Sequence, residues 1–279
     1  MYLALNAVPI GGNLKWKDFA ALASRIGFRG VDIMLEPAMA EGAEATRRLL
    51  HSLKLKPGLI NLPVDFRKDD ATFASTLPKL KPAAEFAAAI GCPRLMTYIL
   101  SSTDTPRDEL RATYLKRFRA CAEILDRAKC RLGLEFLGPL HIRQSGKYEF
   151  IWKMPEMLAF AKECGPNVGL TLDAWHWHHA GGTTADILAA GKDRIILVHF
   201  DDAAKLPPEQ VRDNQRLLPG EGVIDLNGFL HALKKIGYSD SLSVEVFGRG
   251  LKEMPPSESA LLCLSYGRSA LKRAGIRES

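Results

Sequence analysis

"VGLTLD", residues 168–173, sets Val168, Leu170 and Leu172 against Gly169, Thr171 and Asp173. Successive side chains of a strand point to opposite faces, so this run reads as a strand with one wholly apolar face. Its other face is small and polar and ends in an acid. The run continues as "AWHWHHAGG", residues 174–182, which adds three histidines and two tryptophans before a glycine pair. Taken alone, an Asp followed three residues later by His is a weak pattern. Its meaning depends on what the chain repeats elsewhere.

The same pattern recurs three more times. In "RLGLE", Leu132 and Leu134 oppose Gly133 and Glu135. In "RIILVHF", Ile196, Val198 and Phe200 oppose Ile195, Leu197 and His199, and in "SLSVEV", Leu242, Val244 and Val246 oppose Ser241, Ser243 and Glu245. Further strand candidates are "YLALN", "GVDIM", "KPGLIN" and "RLMTYI". Amphipathic stretches such as "KWKDFAALASRIGF", "ELRATYLKRFRACAEILDRAK" and "DLNGFLHALKKIG" lie between strands. Helix ends are signalled by glycines placed to stop them, Gly27, Gly91, Gly165 and Gly237.

Eight strand-helix units in 279 residues, with no low-complexity linker, predict an α/β fold: a single-domain (β/α)8 TIM barrel over 1–279. An open doubly wound sheet is the alternative. Its glycine-rich phosphate loop is not met by "PIGGNLKW", which lacks the G-x-G-x-x-G spacing. If the apolar faces meet the helices, the fifth to eighth strands aim Glu135, Asp173, His199 and Glu245 at one mouth. Barrel active sites lie at the C-terminal mouth. Three carboxylates and one imidazole suit a divalent metal ion, with Mn²⁺ the first choice and Mg²⁺, Co²⁺ or Zn²⁺ as alternatives.

Composition excludes several classes. The chain is 47% hydrophobic and 25% charged, and no apolar run approaches the roughly 20 residues of a membrane helix. Five scattered cysteines without a C-x-x-C pair argue for reduced thiols and a cytoplasmic setting, not a disulfide framework or a cysteine zinc site. A net charge of +6 would suit an anionic partner, but the basic residues spread over helical stretches and read as solvated faces. The expected partner is therefore a small molecule, with neither nucleic acid nor membrane. A homo-oligomer is left open, with a dimer the commonest default.

The motifs together resemble the sugar phosphate isomerase/epimerase superfamily with its xylose-isomerase-like TIM barrel, which includes ketose 3-epimerases, hydroxypyruvate isomerase and inosose dehydratase. The likeness rests on Glu135 in "GLEF", Asp173 and His176 in "DAWH", and His199 with Asp202 in "HFDD". It is completed by Arg216 with Pro219, Gly220 and Gly222 in "RLLPGEG" and by Glu245 in "VEVF". The resemblance implies that Glu135, Asp173, His199 and Glu245 are metal ligands and that His176 and Arg216 hold substrate oxygens. His178 and His179 are then read as loop residues.

Such a barrel would deprotonate a ketose or related polyol next to its carbonyl. Glu135 and Glu245 would serve as the catalytic pair, one removing a proton and the other returning one, for epimerisation or isomerisation. A lyase or dehydratase acting on a keto-sugar or keto-glycoside shares the first step. An apurinic endonuclease of this fold needs extra histidines, which Met34 to Glu36, Asn61 and Tyr98 do not supply. A non-catalytic barrel subunit has no need of two bases. Glu36, Asn61 and Tyr98 end other strands and are candidate pocket residues. Trp175 is a candidate wall against a sugar face, and His141, with Arg143 and Lys147 in the loop after Glu135, could meet an anionic group.

Overall fold

The first strand, Tyr2–Leu5 (β1), pairs in parallel with the last, Ser241–Val244 (β8), which joins the two ends of the chain in one sheet. The computed structural model describes residues 1–11 and 14–279. Gly12 and Asn13 of the "PIGGNLKW" stretch lie outside the described residues.

Between β1 and β8 come Gly30–Val31 (β2), a two-piece strand Lys56–Pro57 and Ile60–Asn61 (β3), and Arg94–Ile99 (β4). Arg131–Phe136 (β5), Val168–Asp173 (β6) and Ile195–His199 (β7) follow. Each strand pairs in parallel with its neighbour, in the order β3-β2-β1-β8-β7-β6-β5-β4-β3. The circuit closes because the first piece of β3 pairs with β2 and the second with β4. This is the (β/α)8 barrel expected from the alternation of short apolar and long amphipathic runs.

A physical reason for the break in β3 lies inside the barrel. At Gly58–Leu59 an inward-facing acid takes over a ladder position: Leu59 N donates to Asp32 Oδ1 at 3.1 Å. Gly58 O accepts from Arg94 Nε at 3.0 Å. A Cβ at position 58 would lie 2.0 Å from Asp32 Oδ1, so only glycine fits beneath that side chain.

Helices pack outside. Arg107–Arg127 buries Tyr114, Phe118, Cys121, Ala122 and Leu125, the three-to-four residue spacing of a helix facing a core. Leu132, Leu134, Leu170, Leu172, Val198, Leu242 and Val244 meet that helical layer. Leu59, Met96 and Leu197 form a separate small cluster, apart from the outer core, as inward-facing residues of a filled barrel do.

Several local expectations need correction. β7 does not alternate from its start, because its register against β6 shifts between Ile195 and Leu197. Ile195 joins the outer core, whereas Ile196 stands against Gly133 and Gly169, whose Cβ positions would fall 3.4 and 2.9 Å from its atoms. From Leu197 onward the parity is as read, and His199 faces inward. Gly27, Gly91 and Gly237 have the positive φ of helix-stopping glycines, but Gly165, at φ 165°, is extended. The run after Asp173 is not a loop: Ala174–His179 is a short helix, so His178 and His179 are helical.

Candidate active site

Two strands end on residues that build the site, β6 on Asp173 and β7 on His199, while β5 runs one residue past Glu135 to Phe136 and β8 stops one residue short, at Val244 before Glu245. One ligand atom from each of Glu135, Asp173, His199 and Glu245 lies within 4.8 Å of all the others. His199 Nδ1 is the hub. It is 2.8 Å from Glu135 Oε1, 3.3 Å from Glu245 Oε2 and 3.7 Å from Asp173 Oδ2.

This donor set fits a divalent cation. Three carboxylates crowd one point, and like charges that close cannot all stay ionised without a cation among them. Burial, the larger effect, pushes the Glu135 carboxyl up to about 7 against the pull of His199. Burial also disfavours the His199 cation, but Glu245, Glu135 and Asp173 outweigh it and raise the imidazole to about 10. Without a metal ion, protons do part of the neutralising.

Arg216 supplies the remaining positive charge. Its Nη1 donates to Asp173 Oδ2 at 2.7 Å, Asp201 Oδ2 at 3.0 Å and Glu245 Oε2 at 3.2 Å. Its Nε donates to Asp213 Oδ1 at 3.0 Å. Nη2 lies 3.0 Å from His176 Nε2. Arginine offers donors only, so His176 Nε2 accepts and its proton resides on Nδ1. Burial and the neighbouring guanidinium hold this imidazole well below its usual range, which keeps it neutral.

The loop bearing Arg216 is fixed by Asp202. One carboxylate oxygen of Asp202 accepts from Gly220 N and Gly222 N at 2.9 and 3.0 Å, and the other from Ala203 N and Ile224 N at 2.8 and 3.0 Å. Gly220 has φ 90°, and a Cβ at Gly222 would meet Ala203 O at 2.2 Å, which explains the two glycines of "PGEG".

A cavity of about 730 Å³ opens above the cluster, lined among others by Asn61, Tyr98, Glu135, His141, His176 and Arg216. A second, of about 410 Å³, is lined by Asp32, Glu36, Asn61, His199 and Glu245. Glu245 and Asn61 border both. Asp173 is completely buried. Its Oδ1 accepts from His176 N at 2.7 Å, so it caps the short helix as well as facing the cluster.

Of the pocket candidates, Glu36, Asn61, Tyr98 and His141 border these cavities. Trp175 does not serve as the expected wall. It is 1% exposed and lies beneath Arg216, with its ring 5.1 Å from the guanidinium carbon, and its backbone N–H donates to Asp201 Oδ1 at 2.9 Å. Trp177 packs on Phe229. Arg143 turns away from the cavity onto Trp152 and Glu149.

Sequence reading missed Asp201, Asp213, Asp32 and Arg67. Asp213 precedes Arg216 by three residues, a spacing that signals an ion pair, and Asp32 was visible as an acid inside the apolar run "GVDIM". Asp201 neighbours the noted Asp202. Arg67, in "PVDFRKDD", carries no signal in the sequence.

Known proteins place this geometry in a family. An inosose isomerase of Halalkalibacterium halodurans is 26% identical over 227 residues, covering 80% of this chain and 77% of that protein. A 3-dehydroshikimate dehydratase of Pseudomonas putida is 27% identical over 267 residues, 93% of this chain but 40% of the longer relative. A xylose isomerase domain protein from Alicyclobacillus acidocaldarius superposes with a TM-score of 0.90 at 26% identity, over 99% of both chains. The family model described as xylose isomerase-like TIM barrel matches residues 12–265. With its closed barrel and its carboxylate-histidine cluster at the strand ends, the chain belongs to the xylose isomerase-like TIM barrel family.

Proposed function

We propose that this chain is a divalent-metal-dependent sugar isomerase or epimerase that moves a proton next to the carbonyl of a ketose or related polyol. The observation that carries this reading is the unequal exposure of the four convergent residues. Glu135 and Glu245 both border the larger cavity, whereas Asp173 is sealed beneath them. Two carboxylates reach the substrate space, as proton removal and return require.

Glu135, Asp173, His199 and Glu245 would hold the ion, with Mn²⁺ the first candidate. When bound, it would supply Lewis-acid stabilisation of charge developing on the substrate's carbonyl oxygen. The chain's own groups do the rest. Glu135 and Glu245 approach the hub from different strands, which suits removal from one position and delivery to another. Neutral His176 offers its Nδ1 proton to a substrate oxygen, and Arg216 fixes that tautomer through Nη2. The sealed Asp173 orients Arg216 and the short helix.

Elimination is the second reading, favoured by the dehydratase relative that aligns with 93% of this chain. It shares the first proton abstraction and differs only if a leaving group sits one carbon further on.

The test is solvent-deuterium exchange followed by NMR on a panel of ketoses, inososes, 3-keto-glycosides and carboxylate-bearing keto-polyols, with chelator-treated and Mn²⁺-loaded protein. Metal-dependent exchange beside the carbonyl with an epimer or isomer as product supports the first reading. A dehydrated product supports the second, and absence of exchange across the panel would overturn both.

A further inference from the structure

Arg67 sits at the edge of the larger cavity on a segment that is built to hold it still. Buried Arg117, reaching from the helix Arg107–Arg127, donates from Nη1 to Phe66 O and Lys68 O, each at 2.6 Å, and so clamps the carbonyls on both sides of Arg67. Nη2 of Arg117 pairs with Asp70 at 2.6 Å. Phe66 is wedged against Tyr114 and Phe118, with ring centroids 5.2 and 4.6 Å away.

The Arg67 guanidinium then stacks between two rings, 4.4 Å from Phe66 and 4.0 Å from Tyr98. Its Nη2 donates to Thr97 Oγ1 at 3.3 Å and to Tyr98 O. Tyr98 stands directly opposite Glu135 in the β4–β5 register. Neighbouring strands are about 4.8 Å apart, so this cation is anchored one strand away from a proposed catalytic carboxylate.

Charge accounting singles it out. Arg216 is surrounded by Asp173, Asp201, Asp213 and Glu245. Burial lowers the His141 imidazole, which leaves it neutral near pH 7. Among the described residues Arg67 has no carboxylate within ion-pair distance, and Nη1 makes no hydrogen bond. A rigid, half-buried guanidinium without a counter-ion is costly in a site meant for neutral sugars, since a desolvated charge needs a partner.

We propose that Arg67 is a specificity residue that receives a carboxylate carried by the substrate, so that the preferred substrate is an acidic keto-polyol rather than a neutral sugar. The inference rests on the reading of the cavity as the substrate site. A single uncommitted cation matches a monoanion. A phosphate would call for a second such cation, which the cavity-lining residues described do not offer.

The experiment compares binding of quinate, a cyclic polyhydroxy carboxylate, with that of neutral myo-inositol to Mg²⁺-loaded protein by calorimetry. Wild type, Arg67→Gln, Arg67→Lys and the control Arg143→Gln, an arginine stacked on Trp152 outside the cavity, are measured, with circular dichroism melts to verify folding. Charge-assisted hydrogen bonds predict a preference for quinate of about 10- to 100-fold in wild type and Arg143→Gln. It should vanish in Arg67→Gln and survive in part in Arg67→Lys, a pattern that a purely structural Arg67 would not give. No preference in wild type, or one that persists in Arg67→Gln, overturns the proposal. So does an Arg67-dependent affinity for myo-inositol 1-phosphate exceeding that for quinate. Metal-dependent exchange into neutral ketoses without a quinate preference would sink this assignment alone. An Arg67-dependent preference without any exchange would sink the isomerase reading alone.

Discussion

Arg216 and His199 share one oxygen: Oδ2 of Asp173 accepts from Arg216 Nη1 at 2.7 Å and faces His199 Nδ1 at 3.7 Å. The guanidinium therefore acts directly on the electrostatics of the candidate metal cluster. Removing it with Arg216→Ala leaves Asp173, Asp201 and Glu245 facing one another with a cation missing. The expected destabilisation of the chelator-treated protein is about 3–5 kcal/mol, because an uncompensated buried charge costs more than its pairing gained. A divalent ion should restore part of it, so the metal-induced rise in Tm is larger in the variant than in wild type. Equal rises measured by calorimetry would show that Arg216 and the cluster are electrostatically independent.

The two glutamates should separate chemistry from folding. Glu135→Gln and Glu245→Gln keep side-chain shape and relieve carboxylate crowding, so the melting temperature of the metal-free protein should hold or rise. Turnover should fall by about 10²–10⁴-fold, the usual contribution of a positioned acid or base. Steady-state assays on the substrate found by the exchange screen measure this. Full activity in both variants contradicts the assignment.

Stability of the metal-free protein should depend on pH with a definite sign. Glu135, raised by burial to about 7, binds its proton more tightly folded than unfolded. Its stabilising contribution is complete below its ordinary value of 4.5 and is lost as pH rises through about 7. His199, held near 10 by its carboxylates against the effect of burial, contributes fully below 6.5 and loses its contribution as pH rises through about 10. Both contributions should lower the Tm of chelator-treated protein as pH increases. A bound divalent ion displaces these protons, so metal uptake at pH 7 should release about one to two of them. Calorimetry in buffers of different ionisation enthalpy counts them, and zero release would exclude these residues as ligands.

Asp202 offers a test of how the Arg216 loop is held. Four backbone N–H groups converge on its carboxylate at 2.8–3.0 Å. Asp202→Ala should destabilise the protein by about 2–4 kcal/mol in urea unfolding, since buried donors lose a charged acceptor. KM should rise with it, because Arg216 and His176 lose their fixed positions. A change below about 0.5 kcal/mol, the range of a surface substitution, would show that the "PGEG" turn stands without it.

Much of this protein is legible from period and parity. In "RLGLE", "VGLTLD" and "SLSVEV" the alternation alone assigns an apolar outer face, because a strand exposes every second side chain to the same layer. It also identifies Glu135, Asp173, His199 and Glu245 as ends of inward faces, and eight strand-helix units leave little room for a fold other than the barrel. Where a backbone irregularity intervenes, parity fails locally, as at the Ile195–Leu197 register shift. Closure of the barrel at Gly58–Leu59 depends on Asp32, 26 residues or more from its partners in the chain, and no local pattern encodes that.

Tertiary structure alone decided which acids see the cavity and which are sealed, since exposure depends on what the following loops cover. It placed Trp175 beneath Arg216 instead of against the substrate space. It also set Arg67, from a segment without a motif, against Tyr98 and one strand from Glu135. Such contacts join residues from separate strand-helix units, and their geometry exists only once the sheet has closed on itself.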